Sequence, residues 1–461
     1  MRISALVCLS VLVTAACGGD DSGVTSASSS MGAGGAQQGS SGNGTSSGGS
    51  GGETSGTTAT GGSAGDVGTG GGGGTSGADD AGMGGSLDGG TNVTPPGSGP
   101  FLDCGSAPKT DWGTAMVEST IKRNPDPLSW EYSRALFLHG AYLVYKRTKD
   151  PKILAYIKAW ADARVGESTS NGYGSVDSMM PNTVLLDMYE ETHDAKYGQG
   201  AARVRNRFRT YPRTSDGAFW HNTGAVDQTW GDGVFMGMPP LERYGHLFND
   251  SAYTDDESSK QLLLYHDHLK NPNGLHWHAW AECRNDCPSW TTRDVHHSPE
   301  SWGRANGWYA MATMMILDLL PANHPNRAPL ITIMQGLVEG FKKWQDDTSG
   351  RWYQIVDKGT DLDNWLETSS SSMYTYTIAK SIRLGYVDAS YAPVAVKGLQ
   401  GVLQKIALDG SGMTNLTDIC RGTNVGDAAY YYARPRPVND FHGLGSFLIM
   451  YEELHADCKY K

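Results

Sequence analysis

Positive charge is in short supply along this chain. Lysine and arginine together number 37 against 49 aspartates and glutamates, so the formal net charge is −12. Nucleic acids and anionic membrane surfaces are bound by clustered Lys and Arg side chains. The composition therefore excludes both as partners, and an anionic ligand would need a locally basic pocket.

Long hydrophobic runs are also scarce. The apolar run at residues 3–13 is too short to span a bilayer, and small residues and Cys17 follow it. This arrangement resembles a bacterial lipoprotein signal peptide, residues 1–17, in which Cys17 becomes the lipidated first residue. An ordinary secretory peptide cleaved nearby is the alternative. Both interpretations predict an exported bacterial protein, a cell-envelope lipoprotein or a secreted one, that meets a membrane only through an N-terminal lipid anchor.

Apolar residues are nearly absent from residues 18–103, where most of the 61 glycines lie among Ser, Thr, Ala and Asp. Such a segment cannot bury enough apolar surface to offset the entropy of ordering. We expect a disordered Gly/Ser-rich linker there. Residues 104–461 are long enough to form one large domain.

Alternating strand patterns are scarce beyond Cys104, whereas helical periodicity recurs. In residues 151–160 the apolar positions follow the i, i+3, i+4, i+7 spacing of an amphipathic helix, with Asp150 placed to cap it. The pattern Tyr-x-x-Thr-x-Asp-x-Lys occurs at 145–152 and again at 189–196, and each copy fits a helix end, a turn and a capped helix start. We therefore expect an all-α domain of helical hairpins around a closed ring.

Cysteine usage fits export to an oxidising compartment. Cys8 belongs to the signal and Cys17 to the lipid anchor, which leaves Cys104, Cys283, Cys287, Cys420 and Cys458. Cys283 and Cys287 are close enough to close a small loop. Cys420 with Cys458 is a plausible second pair, which would leave Cys104 unpaired.

Four stretches combine acidic, aromatic and basic side chains with glycines. They are 228–236 (QTWGDGVFM), 274–280 (GLHWHAW), 298–310 (SPESWGRANGWYA), and 350–357 with 366–373. In this order and spacing they resemble the unsaturated rhamnogalacturonyl hydrolases of glycoside hydrolase family 105, over nearly all of residues 128–455. The resemblance implies an (α/α)6 barrel. It also implies a hydrolase that releases terminal 4,5-unsaturated galacturonic acid from lyase-generated rhamnogalacturonan (pectin) oligosaccharides.

The resemblance places the catalytic aspartate at Asp232 and a second, substrate-orienting acid at Asp177. In the mechanism proposed for the family, one aspartic acid protonates C4 of the substrate's C4=C5 double bond and helps water attack C5; the hemiketal then collapses. The local sequence is compatible, because Trp230 and Phe235 could form an apolar wall that raises the pKa of Asp232. The alternative for either aspartate is a helix cap or a turn.

The resemblance also implies substrate contacts for Tyr132 and His278, and four further residues are expected to contact substrate: Trp230, Trp302, Arg304 and Trp308. A guanidinium such as that of Arg304 can pair with a uronate carboxylate through two hydrogen bonds, and tryptophan faces suit sugar rings. Core packing of the tryptophans and a structural role for His278 are the alternatives.

No cofactor and no metal are expected. His276, His278, Cys283, Cys287, His296 and His297 lie near one another in sequence, but their spacing matches no closed zinc site. No phosphate-binding glycine loop follows a strand. The expected partner is an oligosaccharide ending in an unsaturated uronate, bound by a monomer. Two alternatives remain open: an unsaturated glucuronyl hydrolase like those of family 88, and a non-catalytic glycan-binding lipoprotein.

Overall fold

A computed structural model of the protein describes residues 102–106 and 108–459. The predicted signal peptide, the lipidation of Cys17 and the linker up to residue 101 lie outside the described residues. Leu102 and Asp103, the last two residues of the predicted linker, form a strand. Within the described residues, no helix is both long enough and apolar enough to cross a membrane.

The domain is built mainly from helices. In chain order they are α1 (Trp112–Arg123), α2 (Tyr132–Thr148), α3 (Pro151–Arg164), α4 (Glu167–Ser170), α5 (Asn182–Thr192), α6 (Ala195–Arg207), α7 (Gly231–Leu247), α8 (Ser251–Leu269), α9 (Gly303–Leu319), α10 (Arg327–Trp344), α11 (Thr368–Arg383), α12 (Ala392–Leu403), α13 (Ala428–Tyr432) and α14 (Phe441–Asp457). The strands are short: β1 (Leu102–Asp103), β2 (Gln228–Trp230), β3 (Ala279–Ala281), β4 (Trp352–Tyr353), β5 (Leu366–Glu367), β6 (Ile406–Leu408), β7 (Thr414–Leu416) and β8 (Cys458–Lys459).

Six helices form a closed inner ring. Neighbours along it are α2, α5, α7, α9, α11 and α14, and α14 packs back against α2. The outer helices α1, α3, α6, α8, α10 and α12 pack on this ring. In α11 every residue except Arg383 is buried, as expected of a helix surrounded by others. The predicted (α/α)6 barrel is confirmed.

The repeated sequence pattern marks the turn from an inner to an outer helix, as predicted. Lys149 and His193 follow α2 and α5 in the left-handed conformation, with φ of 56° and 54°. Asp150 then accepts a hydrogen bond from the backbone N–H of Lys152, and Asp194 does the same for Lys196. The same local chemistry therefore starts α3 and α6.

Of the two predicted disulfides, one is confirmed and the other is wrong. Cys283 and Cys287 are bonded, as predicted, but Cys458 pairs with Cys104 and not with Cys420. The reason is topological: β1 and β8 lie side by side with Leu102 opposite Cys458, which brings the two ends of the domain together. Cys420 is a buried free thiol.

Candidate active site

The inner helices begin around one rim of the barrel, and the predicted acidic residues gather there. Asp232 is the second residue of α7, and Asp177 precedes α5. Tyr132, the first residue of α2, lies within electrostatic reach of Asp177, Asp232 and Arg304. The fold thus brings together side chains that are far apart in sequence.

The β2–β3 ribbon positions Asp232 against His278. Trp230 of β2 pairs with Ala279 of β3, and the N–H of Gly231 donates to the carbonyl oxygen of His278 across 2.8 Å. Because these strands end beside each other, Nε2 of His278 lies 3.0 Å from Oδ2 of Asp232. The N-cap of α7 is Trp230, so Asp232 is not the cap of this helix.

A hydrogen-bonded chain extends from Asp232 through His278 to Tyr431. The Tyr431 hydroxyl lies 2.6 Å from Nδ1 of His278 and accepts the N–H of Gly426 at 3.2 Å. Burial lowers the pKa of His278 and raises that of Tyr431, which favours the uncharged form of both side chains. Because a carboxylate oxygen accepts, the contact with Asp232 places the hydrogen of the neutral His278 ring on Nε2, and Nδ1 then accepts from the Tyr431 hydroxyl.

The pKa of Asp232 is lowered, contrary to the expectation of an apolar wall that raises it. Burial acts to raise it, but the hydrogen bond from the N–H of His278 and the electrostatic interactions with the His278 and His221 rings and with the Arg304 guanidinium outweigh burial. Asp232 is therefore an ionised carboxylate in the free protein.

Asp177 has the opposite shift. Its pKa is raised by removal from water and by the nearby carboxylates of Asp232 and Glu131, although His221 acts against this rise. Oδ2 of Asp177 lies 3.7 Å from Nε2 of His221, and one third of the side chain is exposed. The rim thus holds one acid that ionises readily beside a second that keeps its proton to higher pH.

Two aromatic residues of the predicted set border this pair of acids. Trp230 is partly exposed and stacks on His221, with ring centroids 4.2 Å apart. Tyr132 is also partly exposed, and its hydroxyl lies 2.6 Å from Nε2 of His442. Nδ1 of His442 in turn contacts Asp440 at 2.5 Å. Both rings remain accessible to a ligand at the rim.

The other predicted contacts belong to the scaffold beneath the rim. Trp308 is fully buried and packs on Phe235, while Trp302 is 1% exposed. Arg304 is 1% exposed, and its two terminal nitrogens donate to the carbonyl oxygens of Cys420 and Arg421 at 2.5 and 2.9 Å. A direct contact between Arg304 and a substrate carboxylate would require these hydrogen bonds to be exchanged. The geometry assigns Arg304 to holding the chain segment that precedes Tyr431.

Sequence reasoning missed Tyr431, His221, His442 and Asp440. Tyr431 belongs to a five-residue helix and lies 153 positions from His278, so no local spacing could connect the two. The His and Cys residues considered as a metal site are engaged elsewhere: Cys283 and Cys287 form a disulfide, and His276 contacts His266 at 2.9 Å.

A cavity of about 630 Å³ lies at the opposite end of the barrel, where the inner helices end. Among its lining residues are Leu143, Pro240, Met315, Asp318, Tyr376 and Lys380. Asp318 and Lys380 pair with each other. Phe235 and Thr183, near the starts of α7 and α5, also line the cavity, but neither Asp177 nor Asp232 does.

A closed ring of helical hairpins with two acids at its N-terminal rim is the arrangement found in glycoside hydrolases of the six-hairpin type. The Glycosyl Hydrolase Family 88 model matches residues 111–456. The chain belongs to this family, and the family 105 resemblance of its motifs is confirmed by the solved structures described next.

A family 105 glycoside hydrolase from Clostridium acetobutylicum superposes with a TM-score of 0.72 at 32% identity, covering 75% of this chain and 100% of that one. An unsaturated rhamnogalacturonyl hydrolase of Bacillus subtilis is 24% identical over 345 residues, which are 73% of this chain and 92% of the relative. An unsaturated glucuronyl hydrolase from Bacillus sp. GL1 has a TM-score of 0.57 at 12% identity, covering 74% of this chain and 94% of that one, and shows the shared fold alone.

Proposed function

We propose that this protein removes the terminal 4,5-unsaturated galacturonic acid from lyase-generated rhamnogalacturonan oligosaccharides. The observation that carries the proposal is the pair Asp177 and Asp232, whose pKa values are shifted in opposite directions in one rim. Environments that push apart the pKa values of two neighbouring acids are typical of acid–base catalysis. Hydration of a C4=C5 double bond needs one group that donates a proton and one that accepts a proton.

The charge distribution suggests how the two roles are divided. Asp177, with the raised pKa, donates its proton to C4, while ionised Asp232 takes a proton from the water whose oxygen bonds to C5. The resulting hemiketal opens, the bond to the aglycone breaks, and the proton held by Asp232 returns through solvent to Asp177. This division differs from the sequence-based expectation, in which Asp232 performs both steps.

The rim suits a uronate in spite of the net charge of −12. The inner helices begin there, and helix N-termini present positive partial charge and free N–H groups to an anion. His221 also interacts electrostatically with both aspartates from within the rim. Trp230 and Tyr132 provide aromatic surface at the same rim for the sugar ring.

The choice of rhamnogalacturonan rests on relatives. The Bacillus subtilis protein named for this substrate is matched over 92% of its length. An Alteromonas protein named unsaturated 3S-rhamnoglycuronyl hydrolase is matched over only 42% of its length. The unsaturated glucuronyl hydrolase of Bacillus sp. GL1 is similar in fold at 12% identity. These matches favour a rhamnose aglycone without sulfate.

Export through a lipid anchor at Cys17 is part of the proposal. The disulfide between Cys104 and Cys458 supports an oxidising compartment. Replacing Cys17 with Ala should move the protein from the membrane to the soluble fraction with unchanged turnover. If the variant stays with the membrane, the anchor lies elsewhere.

Substrate choice is tested by the ultraviolet absorbance of the conjugated uronate, which disappears on hydration. The substrates are an unsaturated galacturonyl-rhamnose disaccharide and an unsaturated glucuronyl disaccharide from a glycosaminoglycan. We expect efficient turnover of the first alone. Equal or faster turnover of the glucuronyl substrate would favour the alternative specificity.

A further inference from the structure

A second group of ionisable side chains lies on the α7–α8 hairpin. Glu242 and His246 are one turn apart near the end of α7, and Asp255 faces them from the start of α8. Nε2 of His246 lies 2.9 Å from Oδ1 of Asp255 and 3.8 Å from Oε1 of Glu242. One nitrogen or oxygen from each of the three residues lies within 4.8 Å of the others.

Glu242 is the unusual member of this group. It is 0% exposed, and neither carboxylate oxygen has a hydrogen-bond partner at acceptable geometry among residues 102–106 and 108–459. The hydroxyl of Ser258, which is also 0% exposed and unpartnered, belongs to the same surroundings. Buried polar groups are almost always partnered, and an isolated buried carboxylate is costly. Two unpartnered oxygens facing a histidine and a second carboxylate therefore call for a cation.

The donor set identifies the kind of cation. One imidazole with two carboxylates suits Zn²⁺ and similar first-row divalent ions, whereas Mg²⁺ and Ca²⁺ favour sites made of oxygen alone. Zinc binds such nitrogen and oxygen atoms at about 2.0–2.2 Å, so two atoms that share the ion lie about 3–4 Å apart. The distances of 2.9 and 3.8 Å around Nε2 of His246 need only small adjustments.

We propose that Glu242, His246 and Asp255 bind one Zn²⁺-like divalent cation. Because α7 and α8 both contribute, the ion would cross-link an inner helix to an outer one. It would stand apart from the catalytic rim, since Glu242 lies ten residues after Asp232 on the same helix, or about 15 Å at about 1.5 Å per residue. The role is structural stabilisation of the hairpin and is independent of the proposed reaction.

The ion needs the ionised form of Glu242. The Glu242→Gln variant replaces the carboxylic acid by a neutral amide of the same shape, so it should fold and keep normal turnover while losing a ligand. His246→Gln removes the second ligand. The matched control is Asp256→Asn, because Asp256 also contacts a histidine, His324, at 3.1 Å but no third ligand joins them within the described residues.

The experiment is a titration of the full chain, stripped with a chelator, with Zn²⁺ by calorimetry and by thermal unfolding. We expect one equivalent to bind and the Tm to rise by about 3–5 °C at a free concentration about 100 times Kd. Mg²⁺ should cause no comparable rise. Glu242→Gln and His246→Gln should each weaken Zn²⁺ binding at least about tenfold, while Asp256→Asn behaves as the wild type.

Three results would overturn the proposal: no Zn²⁺ binding by the wild type, Zn²⁺ binding undiminished in Glu242→Gln, or equal stabilisation by Mg²⁺. If His246→Gln fails to fold, the Glu242→Gln titration alone decides. Turnover of the unsaturated disaccharide is measured on the same samples. If the substrate assignment fails, the zinc result still stands. If zinc binding fails, the turnover result still stands.

Discussion

The Nε2–H of His278 donates to Oδ2 of Asp232 across 3.0 Å, joining residues 46 positions apart. This contact sets the charge of the site, because it stabilises the ionised form of Asp232 against the effect of burial. It also depends on the tautomer of His278, which Tyr431 fixes from the other side of the ring. The ionised state of Asp232 therefore depends on the hydrogen-bonded series Asp232–His278–Tyr431, and each of the three residues can be tested separately.

Replacing Asp232 with Asn should abolish most turnover. The amide cannot take a proton from water, and acid–base catalysis by one group contributes about 10²–10⁴ in rate, so kcat should fall by that amount with little change in KM. Stability should stay close to wild type, because the amide oxygen can still accept the His278 N–H. Steady-state kinetics and a melting curve measure both. The Asp256→Asn control changes a carboxylate that is 77% exposed and paired with His324, and it should keep full activity. A kcat within tenfold of wild type in Asp232→Asn would assign the chemistry to another residue.

Replacing Tyr431 with Phe should alter the pH profile. Without the hydroxyl donor, His278 can move its proton to Nδ1 and leave a lone pair facing Asp232, so the pKa of Asp232 should rise. The acidic limb of kcat/KM, where Asp232 becomes protonated, should then shift to higher pH, and kcat should fall about tenfold or more. Tyr432→Phe is the matched control, because that hydroxyl donates to Asp361 outside the site. If the acidic limb of Tyr431→Phe stays at the same pH as in the wild type, Tyr431 does not fix the tautomer of His278.

The sequence predicts the barrel well because its evidence is local. Helical periodicity and the Tyr-x-x-Thr-x-Asp-x-Lys pattern depend on neighbours within one or two helical turns. Together they indicate where the helices lie and where one helix turns into the next. The electrostatics of the site are not local. Trp230 and Phe235 suggest a raised pKa for Asp232, but the deciding hydrogen bond comes from His278 on another strand.

The motif at 298–310 shows a second limit. Its residues carry the family resemblance, yet most of them build the scaffold. Asn306 bonds the backbone of His276 and Trp302. A side chain at Gly307 would come within 2.5 Å of Sδ of Met373, so glycine lets α9 and α11 pack closely. A motif of this kind identifies the fold more securely than it identifies ligand contacts.

Replacing Arg304 with Lys separates the two roles considered for this residue. A single ammonium cannot reproduce the planar fork that reaches the carbonyls of Cys420 and Arg421. We therefore expect a lower Tm and a lower kcat, because the segment carrying Tyr431 loses its support, with KM little changed. A raised KM at unchanged Tm would instead indicate the substrate-carboxylate contact expected from the sequence.

The disulfide between Cys104 and Cys458 should contribute to stability. Loss of a native disulfide costs about 2–5 kcal/mol of unfolding free energy, so Cys104→Ser should lower the urea midpoint of the domain. Peptide mapping without reduction should recover Cys104 linked to Cys458. Cys420, whose pKa burial raises to about 11, should resist alkylation until the protein unfolds. Recovery of Cys420 linked to Cys458 would instead support the pairing predicted from the sequence.

The division of labour between the two aspartates predicts a bell-shaped pH profile for kcat/KM. Asp232 must be ionised, so activity is lost as pH falls through its pKa, which lies below the usual 3.8. Asp177 must be protonated, so activity is also lost as pH rises through its pKa, which lies above 3.8. The optimum should fall between the two pKa values. Replacing Asp177 with Asn removes the proton donor: kcat/KM should drop by about 10²–10⁴, and the alkaline limb should disappear because no group remains to lose that proton. The control Asp256→Asn, which changes a largely exposed carboxylate paired with His324 on the outer helix α8, should keep both limbs. If Asp177 only orients the substrate while Asp232 performs both proton transfers, Asp177→Asn would retain the alkaline limb and lose activity mainly through KM. That outcome would assign both proton transfers to Asp232.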